Sequence, residues 1–389
     1  HCSLFIDMLD LIRQEIITES NIIVVKVGTR ILTDARGHLS DERIASFAAQ
    51  LAAARKRGIH IVLVSSGAVG SGIGRLSLSG RPTDLAHLQA VAAVGQSALI
   101  ESYNHYLEQH GLHAAQILLT ADDLDHRTKY LNLRNTLNAL LEYGAIPIVN
   151  ENDTLSVAEL QTTFGDNDKL AALVANMIHS PLLILLSDVD GLYDGDPASP
   201  ESKRISTVYA LDASIQALVF DKKNGFSKGG MASKLRIAHQ ITSAGGSVIL
   251  ANGKEPEILD KLLHYQAYGT LFLPQGTRIA ARKQWIGYAV LTHGSVTVDA
   301  GAARAIEQRG KSLLPVGVRS VEGEFDRGDV IAILNPEGVE IARGLTNYPS
   351  TELASIAGKH SDEIAQAFPG TYTYEEVIHR DNLTVTSMK

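Results

Sequence analysis

The chain has 389 residues, 45% hydrophobic and 20% charged, with 33 Gly and 11 Pro. This is ordinary globular composition at a length that suggests two domains. A formal charge of -8 argues against wholesale binding to nucleic acid or an anionic membrane. The lone cysteine, Cys2, excludes an internal disulfide framework and any multi-cysteine metal site, and predicts a reducing, cytoplasmic compartment.

At the N-terminus, Leu4-Phe5-Ile6 and Met8-Leu9 are apolar, but Asp7 and Asp10 interrupt them and no basic segment precedes. A signal peptide needs both a basic region and an unbroken apolar core. Because the chain starts at His1, the natural start is expected at Met8 or upstream, with residues 1–20 a weakly structured extension. No later run reaches membrane-spanning length.

From Asn21 to Ala267 short apolar runs alternate with helical periodicity. Strands are predicted at Ile22–Val27, His60–Ser65, Ala114–Leu119, Ala145–Asn150, Leu182–Ser187 and Ser247–Ala251. Helices are predicted between them at Asp41–Arg57, Asp84–Gln109, Lys129–Tyr143, Asp168–His179, Ser233–Ala244 and Pro256–His264. The run Leu182–Leu186 lacks polar alternation, as a strand covered on both faces should. Strands alternating with helices imply right-handed crossovers and a mainly parallel sheet, whose ligand lies outside the strands' carboxyl ends.

The pattern changes after residue 270. Short strands are predicted at Ser295–Asp299, Leu313–Gly317, Val330–Asn335 and Glu340–Gly344, with helices at Ala300–Arg309 and Ser350–Ala357. The predicted organisation is an extension (1–20), an α/β domain (21–270), a linker (271–290), a small mostly-β module (291–372) and a tail (373–389). The linker carries Arg278, Arg282 and Lys283. Within 292–370 seven Lys and Arg face eleven Asp and Glu, net -4. RNA binders carry basic surfaces instead, so RNA is not an expected partner.

Two acid-amide clusters stand out. Asn150-Glu151-Asn152-Asp153 ends one apolar strand, and Gly165-Asp166-Asn167-Asp168 precedes a helix. Buried carboxylates and amides need partners, so the clusters suggest a polar ligand, a metal or lysines held in place. A solvated Asn/Asp-rich turn is the alternative.

Other junctions supply cations and amides. Lys26 ends strand one, before Gly28, Thr29 and Arg30. A lysine at that point either meets an anion or snorkels to solvent, and Gly28 would let backbone amides approach a phosphate. Strand two ends in Ser65-Ser66-Gly67-Ala68-Val69-Gly70, a candidate nest for anionic oxygens that lacks the closing Gly-Lys-Ser/Thr of a P-loop. Ser187 and Asp188 open the turn after a buried strand. In Lys228-Gly229-Gly230-Met231-Ala232-Ser233-Lys234 a lysine follows glycines at a helix start, where a cation is disfavoured unless an anion compensates. Cations, amides and carboxylates at one sheet edge are the requirements of phosphoryl transfer.

These motifs together resemble the amino acid kinase family, from Asn21 to the C-terminal region. The small β module is similar to a PUA domain. The resemblance implies a three-layer sandwich around a mainly parallel sheet. The two acid-amide clusters in this order resemble the branch that phosphorylates the γ-carboxylate of L-glutamate with ATP, the first step of proline biosynthesis. In that branch's pattern Lys26 and Lys234 stabilise the transferring phosphoryl group, Asp168 orients both and Asp166 supports catalysis. Ser66, Asn150, Asp153 and Asn167 match positions that bind glutamate. Lys26, Gly28, Ser187, Asp188 and Lys228 through Lys234 (Gly229, Gly230, Met231, Ala232 and Ser233 included) match the ATP segment. Mg²⁺ is expected with ATP, held by phosphates and water rather than a protein cage.

The resemblance further implies a homo-oligomer (dimer or tetramer), proline as feedback inhibitor at a site overlapping the glutamate site, and contact with glutamyl phosphate reductase. Aspartate, acetylglutamate, uridylate and carbamate kinases resemble the same sheet. The hairpin Thr154–Phe164 between the two clusters and the PUA-like module argue against them. Arg30, Lys169 and Lys228 add charge where relatives differ; Arg30 either contacts phosphate or points to solvent.

Overall fold

The computed structural model describes residues 2–34, 37–120, 123, 127–155, 167–212, 214–215, 218, 230–275, 286–287, 291–360, 363–364 and 376–387. Asp166, Lys228 and Gly229, the hairpin beyond Leu155 and most of the expected linker lie outside them. One compact unit takes in His1–Asp123 and Arg127–Arg278, and a second takes in the C-terminal residues Ile279–Lys389.

In chain order the first unit contains α1 (Cys2–Glu19), β1 (Ile22–Val27), α2 (Thr29–Leu32), α3 (Asp41–Lys56), β2 (His60–Ser65), α4 (Ala68–Arg75), α5 (Leu85–Glu108) and β3 (Ala114–Leu119). It continues with α6 (Arg127–Glu142), β4 (Ile146–Glu151), α7 (Asn167–Met177), β5 (Leu182–Ser187), β6 (Thr207–Val208), α8 (Met231–Ser243), β7 (Ser247–Asn252), α9 (Ile258–Leu263) and β8 (Thr270–Phe272). The sheet runs β3-β4-β2-β1-β5-β7-β8-β6. The pairs from β3 through β7 are all parallel, and β8 joins β7 antiparallel.

Strand order reverses at β1. The chain passes from β1 to one side through β2, β3 and β4, then crosses to β5 and β7 on the other. Such a switch opens a crevice at the carboxyl ends. Residue parity then chooses the faces. Ile23, Val25 and Val27 enter the core shared with Ile17, α3, α5 and α9. Val24 and Lys26 point the other way, toward α7, which is buried along almost its whole length.

The N-terminal residues differ from the expected loose extension. They form α1, and Arg13, 2% exposed, donates to the carbonyls of Gln266 (3.3 Å) and Tyr268 (2.8 Å). Ile17 is buried in the core with Ile12 and Ile16 packed beside it. Ile12 and Ile16 stand at i, i+4, a helical signal that the sequence does carry.

The second unit holds β9 (Gly294–Val298), α10 (Ala300–Arg309), β10 (Val318–Gly323), β11 (Val330–Leu334), β12 (Glu340–Leu345), α11 (Ser350–Ile356) and β13 (Leu383–Val385). Its sheet runs β10-β9-β11-β12-β13. Asp299 caps α10 by accepting the N–H groups of Gly301 and Ala302, each at 2.8 Å, which is why that helix was legible to the residue.

Two expectations are corrected here. Leu313–Gly317 is not a strand: Leu313 makes one bridge to Ile378 and Pro315–Gly317 is a 3-10 turn. The strand lies at β10, where a bulge between Val318 and Ser320 breaks period-2 alternation. The expected tail supplies β13, and Val377, Ile378 and Leu383 are part of this unit's core.

Candidate active site

Lys26 ends β1 on the face of α7, and the second residue of α7 is Asp168. The Lys26 Nζ lies 2.6 Å from Asp168 Oδ1, and Lys234 Nζ lies 3.0 Å from Asp168 Oδ2. Asp168 is 1% exposed and each lysine 8%. Burial opposes charge on Asp168, but the fields of Lys26 and then Lys234, with hydrogen bonds from both, hold its carboxyl below the usual range. The carboxylate also suits the N-terminal turn of α7. Lys234, in the first turn of α8, has the compensating anion that its position requires. The geometry joins these three predicted residues in one buried, hydrogen-bonded triad.

Beside the triad, Asn167 Nδ2 donates to Ser66 Oγ at 2.7 Å and to Asn150 Oδ1 at 3.0 Å. This links the ends of β2 and β4 to the start of α7. Asn150 Oδ1 also accepts the Glu151 N–H at 2.9 Å. Asn167 Oδ1 is buried with no hydrogen-bond partner among the described residues. A buried acceptor in that state is costly unless a ligand donates to it.

A cavity of about 590 Å³ adjoins these residues, lined by Gly67, Ala68, Val69, Gly70, Asn150 and Asp153 among others. Asp153 is 3% exposed, and Gln96 Nε2 donates to its Oδ2 at 3.1 Å. Gln96 escaped the sequence reading. Its signal was a polar residue within the apolar stripe Leu88, Ala92, Leu99 and Tyr103 of α5.

The glycine run after β2 divides by role. Gly67 has φ +111°, a conformation that glycine adopts without strain. It starts α4, whose first N–H groups have no intrahelical acceptor, at the cavity wall. Gly72 is a packing residue: a Cβ there would strike the Val91 carbonyl of α5. At Gly28, with φ −75°, an added Cβ would meet Lys26 Nζ at 3.6 Å, ordinary contact. Neither conformation nor crowding demands that glycine.

On the β5 side, Ser187 Oγ donates to Asp188 Oδ1 at 3.3 Å. Arg30, whose side chain is 72% exposed, reaches Asp188 Oδ2 at 2.8 Å, so it engages a carboxylate. Burial raises the Asp188 carboxyl, but the Arg30 hydrogen bond, a backbone N–H, the Arg30 charge and the Ser187 hydroxyl together hold the group low. Gly230 caps α8, and Met231, Ala232 and Ser233 form its first turn. The described residues contain no cluster of three His, Cys, Asp or Glu able to hold a metal.

A parallel sheet with a switch point, and a carboxylate bridging two lysines there, define a phosphotransferase class. The chain belongs to the amino acid kinase family, whose profile matches residues 21–252, and a PUA domain profile matches 294–368. Its curated relatives include proteins named glutamate 5-kinase. That of Rhodopirellula baltica is 47% identical over 96% of both chains. That of Thioalkalivibrio sulfidiphilus is 43% identical over 93% of this chain and 96% of its own, and that of Moorella thermoacetica 43% over 95% and 97%.

Proposed function

We infer that the protein transfers the γ-phosphoryl group of ATP to the γ-carboxylate of L-glutamate, giving L-glutamyl 5-phosphate and ADP, the first step of proline biosynthesis. The observation that carries this reading is the Lys26–Asp168–Lys234 triad beside the polar end of the Asp153 cavity. The near full-length similarity to glutamate 5-kinases supports the choice of acceptor.

The chemistry asks little of acid–base groups. A γ-carboxylate is ionised at neutral pH and needs no general base. Its oxygen bonds to the γ-phosphorus as the bond to the β–γ bridging oxygen breaks, and ADP departs with the electron pair. The barrier is the approach of an anion to a polyanion, which fixed cations lower. In this reading Lys26 faces the transferring group, Lys234 the β–γ bridge, and Asp168 orients both. Asp153 and the open Asn167 acceptor take the substrate ammonium, with Ser66 and Asn150 holding Asn167 in place.

We assign nucleotide binding to Ser187, Asp188, Gly28 and the segment from Lys228 to Lys234, with Asp166 assisting catalysis. Mg²⁺ accompanies the nucleotide. We further propose a homo-oligomer in the cytoplasm, proline inhibition at the overlapping site and contact with a reductase that consumes the acyl phosphate. The catalytic domain is read as residues 21–270.

An ADP-release assay with L-glutamate, aspartate, acetylglutamate and UMP tests the acceptor. ADP is expected with glutamate alone; turnover with UMP but not glutamate would contradict the reading.

A further inference from the structure

Gln96 is a buried polar residue that neither the triad nor the predicted ligand set accounts for. It is 6% exposed on α5, in line with Ala92, Leu99 and Tyr103, which face the interior. Its Nε2 carries two N–H donors. They reach two acceptors at the end of β4: the Glu151 carbonyl and Asp153 Oδ2, both at 3.1 Å.

The position of this amide is fixed from the preceding residue. Gly95 lies so close to α4 that a Cβ would overlap the Ala68 carbonyl. The same helix therefore touches the start of α4 at residue 95 and the acid-amide cluster at residue 96. These are two walls of the one cavity.

We propose that Gln96 is a positioning residue for the amino-acid substrate, acting through Asp153; this rests on the functional reading above. The amide fixes the carboxylate's rotation without bringing a charge of its own. A lysine or arginine there would compete with the substrate ammonium for Asp153. A neutral donor holds the carboxylate in place and leaves its charge for the ligand.

Such a role affects binding more than chemistry. The ammonium is remote from the reacting carboxylate, so its contact is made equally in ground and transition states. In Gln96→Met, which keeps volume and loses both donors, the glutamate KM should rise about 10-fold, as for loss of a hydrogen bond to a charged group. The kcat and the KM for ATP should stay within about two-fold.

The decisive readout is coupling. In an Asp153→Asn background the same Gln96→Met change should add little to the glutamate KM, because its effect runs through the Asp153 charge. A ligand-induced thermal shift provides a readout without turnover: glutamate should shift Gln96→Met less than wild type, and ATP should shift both alike. An unchanged glutamate KM overturns the proposal, as do parallel losses in kcat and in both KM values, or full additivity with Asp153→Asn. A wild-type protein that turns over ATP without glutamate overturns the functional reading itself, and this inference with it.

Discussion

Asp168 commits one carboxylate oxygen to each of two lysines, and the account depends on that arrangement. Asp168→Asn removes the anion and leaves two buried ammonium groups facing a neutral amide. Breaking a buried pair from one side costs about 3–5 kcal/mol, and losing an oriented transition-state donor about 10²–10³ in rate. Steady-state kinetics should show the loss in kcat. Lys26→Ala and Lys234→Ala should behave likewise, whereas Asp153→Ala should mainly raise the glutamate KM. Unchanged kcat in both lysine variants would remove them from the mechanism. The Asp168 carboxyl is held below its ordinary range in the folded chain, and in the unfolded chain it titrates near about 3.9. Its contribution to stability is therefore fully present above that value and lost as pH falls toward the folded one. Urea midpoints between about pH 3 and pH 6 should fall more steeply toward acid in wild type than in Asp168→Asn; parallel curves would contradict the assignment. The exposed Arg30–Asp188 pair is a different case, and Arg30→Ala should cost no more than about 0.2–1 kcal/mol.

Element by element, the α/β unit was legible because its signals are local. β1, β2, β3 and β5 fall where apolar runs placed them, and Asp84 and Ser40 cap α5 and α3 through their side chains. What escaped depends on partners distant in sequence. Arg13 anchors α1 through carbonyls more than 250 residues away, and the bulge in β10 exists only against β9. Two glycines outside the expected anion nest are helix contacts. Gly95 and Gly72 close the α4–α5 interface, which neither composition nor spacing reveals. Gly95→Ala should force these helices apart and destabilise the unit by about 1–3 kcal/mol, measured by thermal denaturation. An unaltered melting temperature would show that the interface relaxes freely.

At the scale of the whole molecule, the described residues of the triad, the amide cluster and the cavity all belong to the first compact unit. The second has a core of its own, to which Val377, Ile378 and Leu383 contribute. A chain ending at residue 372 should lose β13 with that core and unfold its C-terminal unit, seen as a lost or lowered melting transition. An unchanged transition would place the tail outside the core. The clustering of Lys26, Asp168 and Lys234 was readable in outline because charged residues at a strand end and two helix starts contrast with apolar neighbours. Gln96 was not, because its partner lies 57 positions away. The central claim is that this triad makes an acyl phosphate on glutamate, and hydroxylamine trapping tests it most directly. With ATP, glutamate and hydroxylamine, the wild-type protein should yield γ-glutamyl hydroxamate in step with ADP, and Asp168→Asn should yield about 10²-fold less. ADP release without hydroxamate, or equal hydroxamate from Asp168→Asn, would contradict it.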